Sequence, residues 1–147
     1  MKKMPVIMYF RDRFQNPPFK PNMAVNIDDV MDQKYEMYDC HVSQVYEWLP
    51  FTHGDLEDVP ADPKERLEWL RTPRVPRDRV LAPEELTGIK KVGHHEYYEA
   101  SFASKFRDCV VERYGESGKR IIFAEVFESS AYGQPLTAQN RDILFPF

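Results

Sequence analysis

The chain has little of what marks several common protein classes. It has two cysteines, Cys40 and Cys109, far apart and without a CxxC pair. That excludes a disulfide framework and a Cys-rich zinc module. Isolated thiols of this kind fit a reducing, cytoplasmic setting. It has no basic excess either: Lys and Arg number 20 against 24 Asp and Glu, for a net charge of −4. A phosphate-binding surface needs clustered cations, so a nucleic-acid role is not expected. RTPRVPRDR (71–79) is basic but short, and Pro73 and Pro76 break it, so it reads as a solvated loop. No apolar run approaches the roughly 20 residues that span a bilayer. The opening MKKMPVIMYFRDR ends its apolar run too early for a signal peptide. No internal repeat or low-complexity tract is present.

What is there fits one globular domain across residues 1–147, with 42% hydrophobic and 30% charged residues. MPVIMYF (4–10) is an apolar run without alternation, as in a strand buried on both faces of a parallel sheet. NIDDVMDQKYEMYDCHVSQVYEWLP (26–50) reads as one long helix, capped by Asn26 or Asp28 and stopped by Pro50. A short helix follows, with Asp62 as N-cap and Pro63 in first position. Residues 73–93 hold three prolines and two glycines, as an extended surface connection would. HHEYYEASFASKFRDCVVERYG (94–115) is a second helix ending at Gly115, and RIIFAEVFES (120–129) a second buried strand. The tail from Ser130 onward ends in an apolar patch expected to dock on the body. Two such strands are too few for a self-sufficient sheet. The expected fold is therefore α/β, the C-terminal part of a larger domain, with an exposed sheet edge open to self-association.

Candidate functional residues come from breaks in pattern. At about 100° per residue, the long helix puts Val30, Met31, Met37, Tyr38, Val42, Val45, Trp48 and Leu49 on one apolar arc. Lys34 and His41 fall inside that arc, two turns apart, and Gln44 lies at its edge. A lysine and a histidine on a buried face need partners or a cavity. Ser43 falls on the wet side, with no Gly-x-Ser-x-Gly elbow to make it a nucleophile. Glu125 shares a strand face with Ile121, Phe123 and Phe127, so it needs a counter-charge at a pocket wall: Lys34, His41 or an Arg. His53, His94 and His95 show no ligand spacing, and no metal site is assigned within the chain.

Lys34, His41, Ser43 and Gln44, as K-x6-H-x-S-Q, resemble the C-terminal signature of the PIG-L/LmbE-like N-deacetylases. The run from PVIMYF through NIDD into the helix and the later FAEVF extend the likeness, which covers 4–51 and 119–128. Residues 53–118 match nothing specific, and 53–93 read as a variable insertion or surface connection. The resemblance implies a Rossmann-like three-layer domain and a zinc-dependent hydrolase acting on N-acetylglucosamine-type conjugates. In that family a zinc-bound water attacks the acetamide carbonyl, with an Asp as base. The ligands come from a His-Pro-Asp-Asp-Glu motif that this chain lacks. The expectation is a chain inactive alone, or a non-catalytic sugar-binding or protein-interaction module. His41 is then the candidate catalytic residue, and Lys34, Ser43, Gln44 and Glu125 the pocket wall. No cofactor belongs to this chain itself.

Overall fold

The computed structural model describes residues 4–11, 16–89 and 95–147. It is a mixed α/β arrangement around a three-stranded sheet. Strands β1 (Met8–Phe10), β2 (Met23–Asn26) and β3 (Ala124–Ser129) lie in the order β1-β3-β2. Both pairings are antiparallel: Met8 faces Ser129, and Val25 faces Glu125. Six α-helices accompany the sheet among the described residues: α1 (Met31–Asp39), α2 (Leu49–His53), α3 (Arg66–Arg71), α4 (His95–Lys105), α5 (Arg107–Tyr114) and α6 (Ala138–Leu144).

This corrects the parallel-sheet expectation. MPVIMYF is not a doubly buried strand: only Met8–Phe10 pairs, at a sheet edge, and Ile7, Tyr9 and Phe10 are exposed. Its apolar residues sit on an edge strand with one neighbour, so the run does not signal burial on both faces. The strand that the sequence did not announce is β2. Asn22 donates to the Phe127 carbonyl at 3.0 Å, and Met23 and Ala24 are buried at once. β3 is where expected, because its β-branched and aromatic residues fit a pleated, covered surface. Ala124 and Val126 face a core shared with Ala24, Phe102, Ala103 and Val110. Phe123 and, partly, Val25 turn to the other core, with Met31, Tyr35, Val45, Tyr46 and Leu70. Each fully buried side chain of this size contributes about 1.5–3 kcal/mol.

The long helix is broken. α1 ends at Asp39; Cys40 and His41 turn the chain, and the His41 carbonyl then accepts the amides of Gln44 and Val45 at 3.0 and 2.9 Å. Gln44–Trp48 is wound as a π-helix, with the Leu49 amide bonded to the Gln44 carbonyl, and α2 runs on past Pro50 to a left-handed Gly54. Pro50 thus begins a helix instead of stopping one, as first-turn proline can. Neither Asn26 nor Asp28 caps α1. Asn26 accepts the Asp28 amide at 3.0 Å, while the Asp28 carboxylate crosses to the amides of Ile122 and Phe123. Asp62 does cap its helix, accepting the Lys64 amide at 3.0 Å. The helix expected over 94–115 is two: the backbone leaves the helix at Phe106, so α4 ends at Lys105 and α5 begins at Arg107 and ends at Gly115.

The expected surface connection, described here as far as residue 89, sends three anchors into the core. Val75, Leu81 and Leu86 are buried against α1 and α4, and Ser104 on α4 donates to the Leu81 carbonyl at 2.8 Å. The basic stretch is not a solvated loop either. The Arg74 guanidinium donates to the carbonyls of Trp69, Leu70 and Thr72, and Arg77 pairs with a buried glutamate. The tail is tied down by Arg113, which bonds Asp142 and the carbonyls of Phe145 and Phe147, although Ile143 and Phe147 stay exposed. Among the described residues no helix is long and apolar enough to cross a membrane.

Candidate functional site

Two glutamates one turn apart on α4 face two tyrosines one turn apart on α1. Tyr35 donates to Glu96 at 2.7 Å, and Tyr38 donates to Glu99 at 3.0 Å. Long side chains at helical spacing share a face, so the two pairs form rungs between the helices. Glu96 is buried and saturated. One oxygen takes Tyr35 and the Arg77 guanidinium; the other takes the amides of Arg74 and Val75 at 2.7 and 3.2 Å. A buried carboxylate is tolerable only with partners of this kind. Glu96 therefore fastens the 73–79 loop to α1.

Glu99 carries the second rung into an ion cluster. The Lys34 ammonium sits between Glu99 and Glu125, bonded to both, with Glu125 Oε1 at 2.6 Å. Burial alone would lower the Lys34 pKa, but the two carboxylates outweigh it and hold it above the ordinary lysine value. Glu99 moves upward as well, because burial disfavours its charge and Glu125 adds repulsion. One cation thus serves two carboxyl groups. Lys34 stays charged and so serves as an electrostatic anchor, not as a base or nucleophile. Glu125, a quarter exposed, is the open end of the cluster.

Of the residues singled out in the sequence, the structure brings Lys34 and Glu125 together. The counter-charge expected for Glu125 is Lys34. His41 is not on a buried face: it is exposed at the break after α1. The apolar arc was centred too far round the helix. The buried face runs through Met31, Tyr35, Val45 and Tyr46, while Met37, Val42 and Trp48 are exposed. Lys34, within α1, reaches the carboxylates; His41 lies beyond the end of α1, where the break carries it to the surface. Ser43 and Gln44 are exposed and line a separate open groove of about 600 Å³ with Glu47, Trp48, Phe51 and Leu56. His53 is held by the Leu49 carbonyl at 2.7 Å, and His94 lies outside the described residues.

Sequence reasoning missed Glu96, Glu99, Tyr35, Tyr38 and Arg77. A signal was available on α4: Ala100, Ser101, Ala103 and Ser104 are all small, and all are buried. A helix built of small residues packs on more than one side, so its glutamates cannot all reach water. Among the described residues no three His, Cys, Asp or Glu side chains gather to hold a metal ion. The donors described here do not form the ligand set of a zinc centre. Comparison with protein-family models, with curated proteins and with solved structures gives no match.

Proposed function

We propose that this chain is the substrate-side portion of an N-deacetylase of the PIG-L/LmbE type, part of a Rossmann-like parent domain, and inactive by itself. The observation that carries the reading is the bond between Lys34 and Glu125. These are two of the five residues on which the resemblance rests, 91 positions apart, and they meet at 2.6 Å. The ion cluster braces α1 against β3 and so sets the helix end from which His41, Ser43 and Gln44 project. The ligand in this reading is a small N-acetylated sugar conjugate. Ser43 and Gln44 offer a hydroxyl and a carboxamide to it, and His41 is the candidate to touch its reacting end. No metal-dependent step is assigned to this chain. The free thiols Cys40 and Cys109 accord with a cytoplasmic setting, and the open edge of β1 is a place for self-association. The second reading, a non-catalytic sugar-binding or protein-interaction module, is favoured by the open groove beside Trp48.

The test is an assay of amine release from an N-acetylglucosamine conjugate. The chain is tried alone, then mixed with a zinc-loaded polypeptide carrying the His-Pro-Asp-Asp-Glu half of such an enzyme. The expected outcome is no release alone, release on mixing, and loss of that release on His41→Ala. Turnover by the isolated chain with stoichiometric zinc would overturn the division of labour. A mixture that neither binds nor cleaves the conjugate would overturn the family assignment.

A further inference from the structure

The groove beside the π-helical turn has a chemistry of its own. Its floor is apolar and open: Trp48 is 56% and Phe51 72% exposed, with Leu56 at the far rim. Exposed aromatic groups clustered at one place mark interaction sites more often than accidents of surface. The backbone there is itself unusual, since a π turn costs helix regularity and tends to be retained where side chains must be aimed.

The stretch of chain that builds it carries charge of one sign. From residue 35 to residue 63 there is no Lys or Arg, while Glu36, Asp39, Glu47, Asp55, Glu57, Asp58 and Asp62 all fall in that stretch. Among these, Glu36 pairs with Arg71, Asp39 accepts from Tyr46, and Asp62 accepts the Lys64 amide. Glu47 lines the groove, and Asp55 and Glu57 flank Leu56. An apolar floor with a carboxylate rim is complementary to a cation carried beside an apolar side chain. The indole of Trp48 adds a face that attracts Lys or Arg.

We propose that this groove docks a basic, apolar segment of a partner protein, in the manner of an amphipathic helix laid in a groove. Leu-type side chains meet Trp48, Phe51 and Leu56, and flanking Lys or Arg side chains meet Glu47, Asp55 and Glu57. An anionic lipid surface is the wrong sign for this rim. Ser43 and Gln44 line the same groove, but the assignment does not depend on the deacetylase reading: it takes up the protein-interaction reading and rests on Trp48, Phe51, Leu56 and the acidic rim, none of which is among the five residues that carry the resemblance.

The experiment uses the full chain labelled for NMR, in which the indole N–H signals of Trp48 and Trp69 report separately. The probe is a short synthetic amphipathic peptide of Leu and Lys, with a twin in which Glu replaces every Lys. The Lys peptide should shift the Trp48 signal saturably, leave Trp69 in place and weaken with added salt. The Glu twin should not bind. The pair Glu47→Lys and Glu57→Lys lies on the surface, so folding is retained, and it should weaken the Lys peptide about tenfold. Equal binding of both peptides, binding of neither, or the same Trp48 shift with anionic vesicles overturns the proposal. So does displacement of the peptide by an N-acetylglucosamine conjugate, which would make the groove a sugar site. Failure of amine release in the deacetylase assay leaves this outcome untouched.

Discussion

Lys34 on α1 and Glu125 on β3 meet at 2.6 Å across 91 residues of chain, and Glu99 on α4 closes the cluster from the other side. Three elements are thus pinned at one ammonium. Lys34→Met should lose about 3 kcal/mol of unfolding free energy, because it strands two carboxylates in a largely buried place. Adding Glu99→Gln to that variant should restore part of the loss. Urea denaturation of the three proteins measures it, and equal stability of Lys34→Met and wild type would show that the cluster is not the brace inferred above.

Stability should fall steeply in alkali. Lys34 rises above its ordinary 10.5, and Tyr35 and Tyr38 rise above their ordinary 10.0, chiefly by burial and then by Glu96 and Glu99 respectively. Raised folded-state values mean that the unfolded chain gives up these protons first. The unfolded state then binds fewer protons, so unfolding becomes easier as pH rises from about 10. The contribution is complete below the unfolded values and is lost above them. Denaturant midpoints measured against pH should show this slope, and Lys34→Met should make it shallower.

Two glycines are fixed by close backbone. A Cβ on Gly133 would lie 2.9 Å from both the Ile7 nitrogen and the Pro5 oxygen, where residues 130–134 hydrogen-bond along residues 5–7. A Cβ on Gly118 would lie 2.8 Å from the Val110 oxygen, beside the Gly118 carbonyl that Arg107 holds at 2.6 Å. Gly118→Ala and Gly133→Ala should each cost about 1–3 kcal/mol, as forced overpacking does. Hydrogen exchange separates them: the Gly133 variant should open the amides of Ser130 and Gln134, and the Gly118 variant should leave these protected.

His41 is a surface residue by placement, so His41→Ala should change thermal stability by no more than about 0.5 kcal/mol. A larger loss would mean that the side chain braces the break after α1. Any effect on ligand binding can then be read without a folding correction.

The two thiols should react at very different rates. Cys40 is exposed, whereas burial and then Glu112 push the Cys109 thiol up to about 11. At neutral pH a thiol reagent should modify Cys40 in a fast phase and Cys109 in a slow one, and Cys40→Ser should remove the fast phase alone.

Much of the element inventory was legible in the sequence, and its errors have physical causes. β3, the Asp62 cap and the Gly115 helix end were readable because propensity and capping are local. The break at Cys40 and His41 was not, since neither glycine nor proline marks it; it shows itself only where Val45 and Tyr46 are buried and Tyr46 donates to Asp39 at 2.6 Å. The edge position of β1 was hidden because an apolar run does not say how many neighbours a strand has. Val75 and Leu81 were passed over among prolines and arginines, although Arg74 and Arg77 spend their donors holding that loop to the core.

By itself the sequence determined the local chemistry: no metal motif, a lysine and a glutamate misplaced on apolar faces, and a stretch of carboxylates without a cation. Those are properties of residue type and spacing, fixed before folding. Only the tertiary structure decided which misplaced groups belong together. Lys34 joined Glu125 and Glu99, His41 went to the surface, and Trp48 and Phe51 were left in the open beside Gln44. Pairing across 91 residues depends on how three elements dock, and a one-dimensional pattern carries no record of that docking.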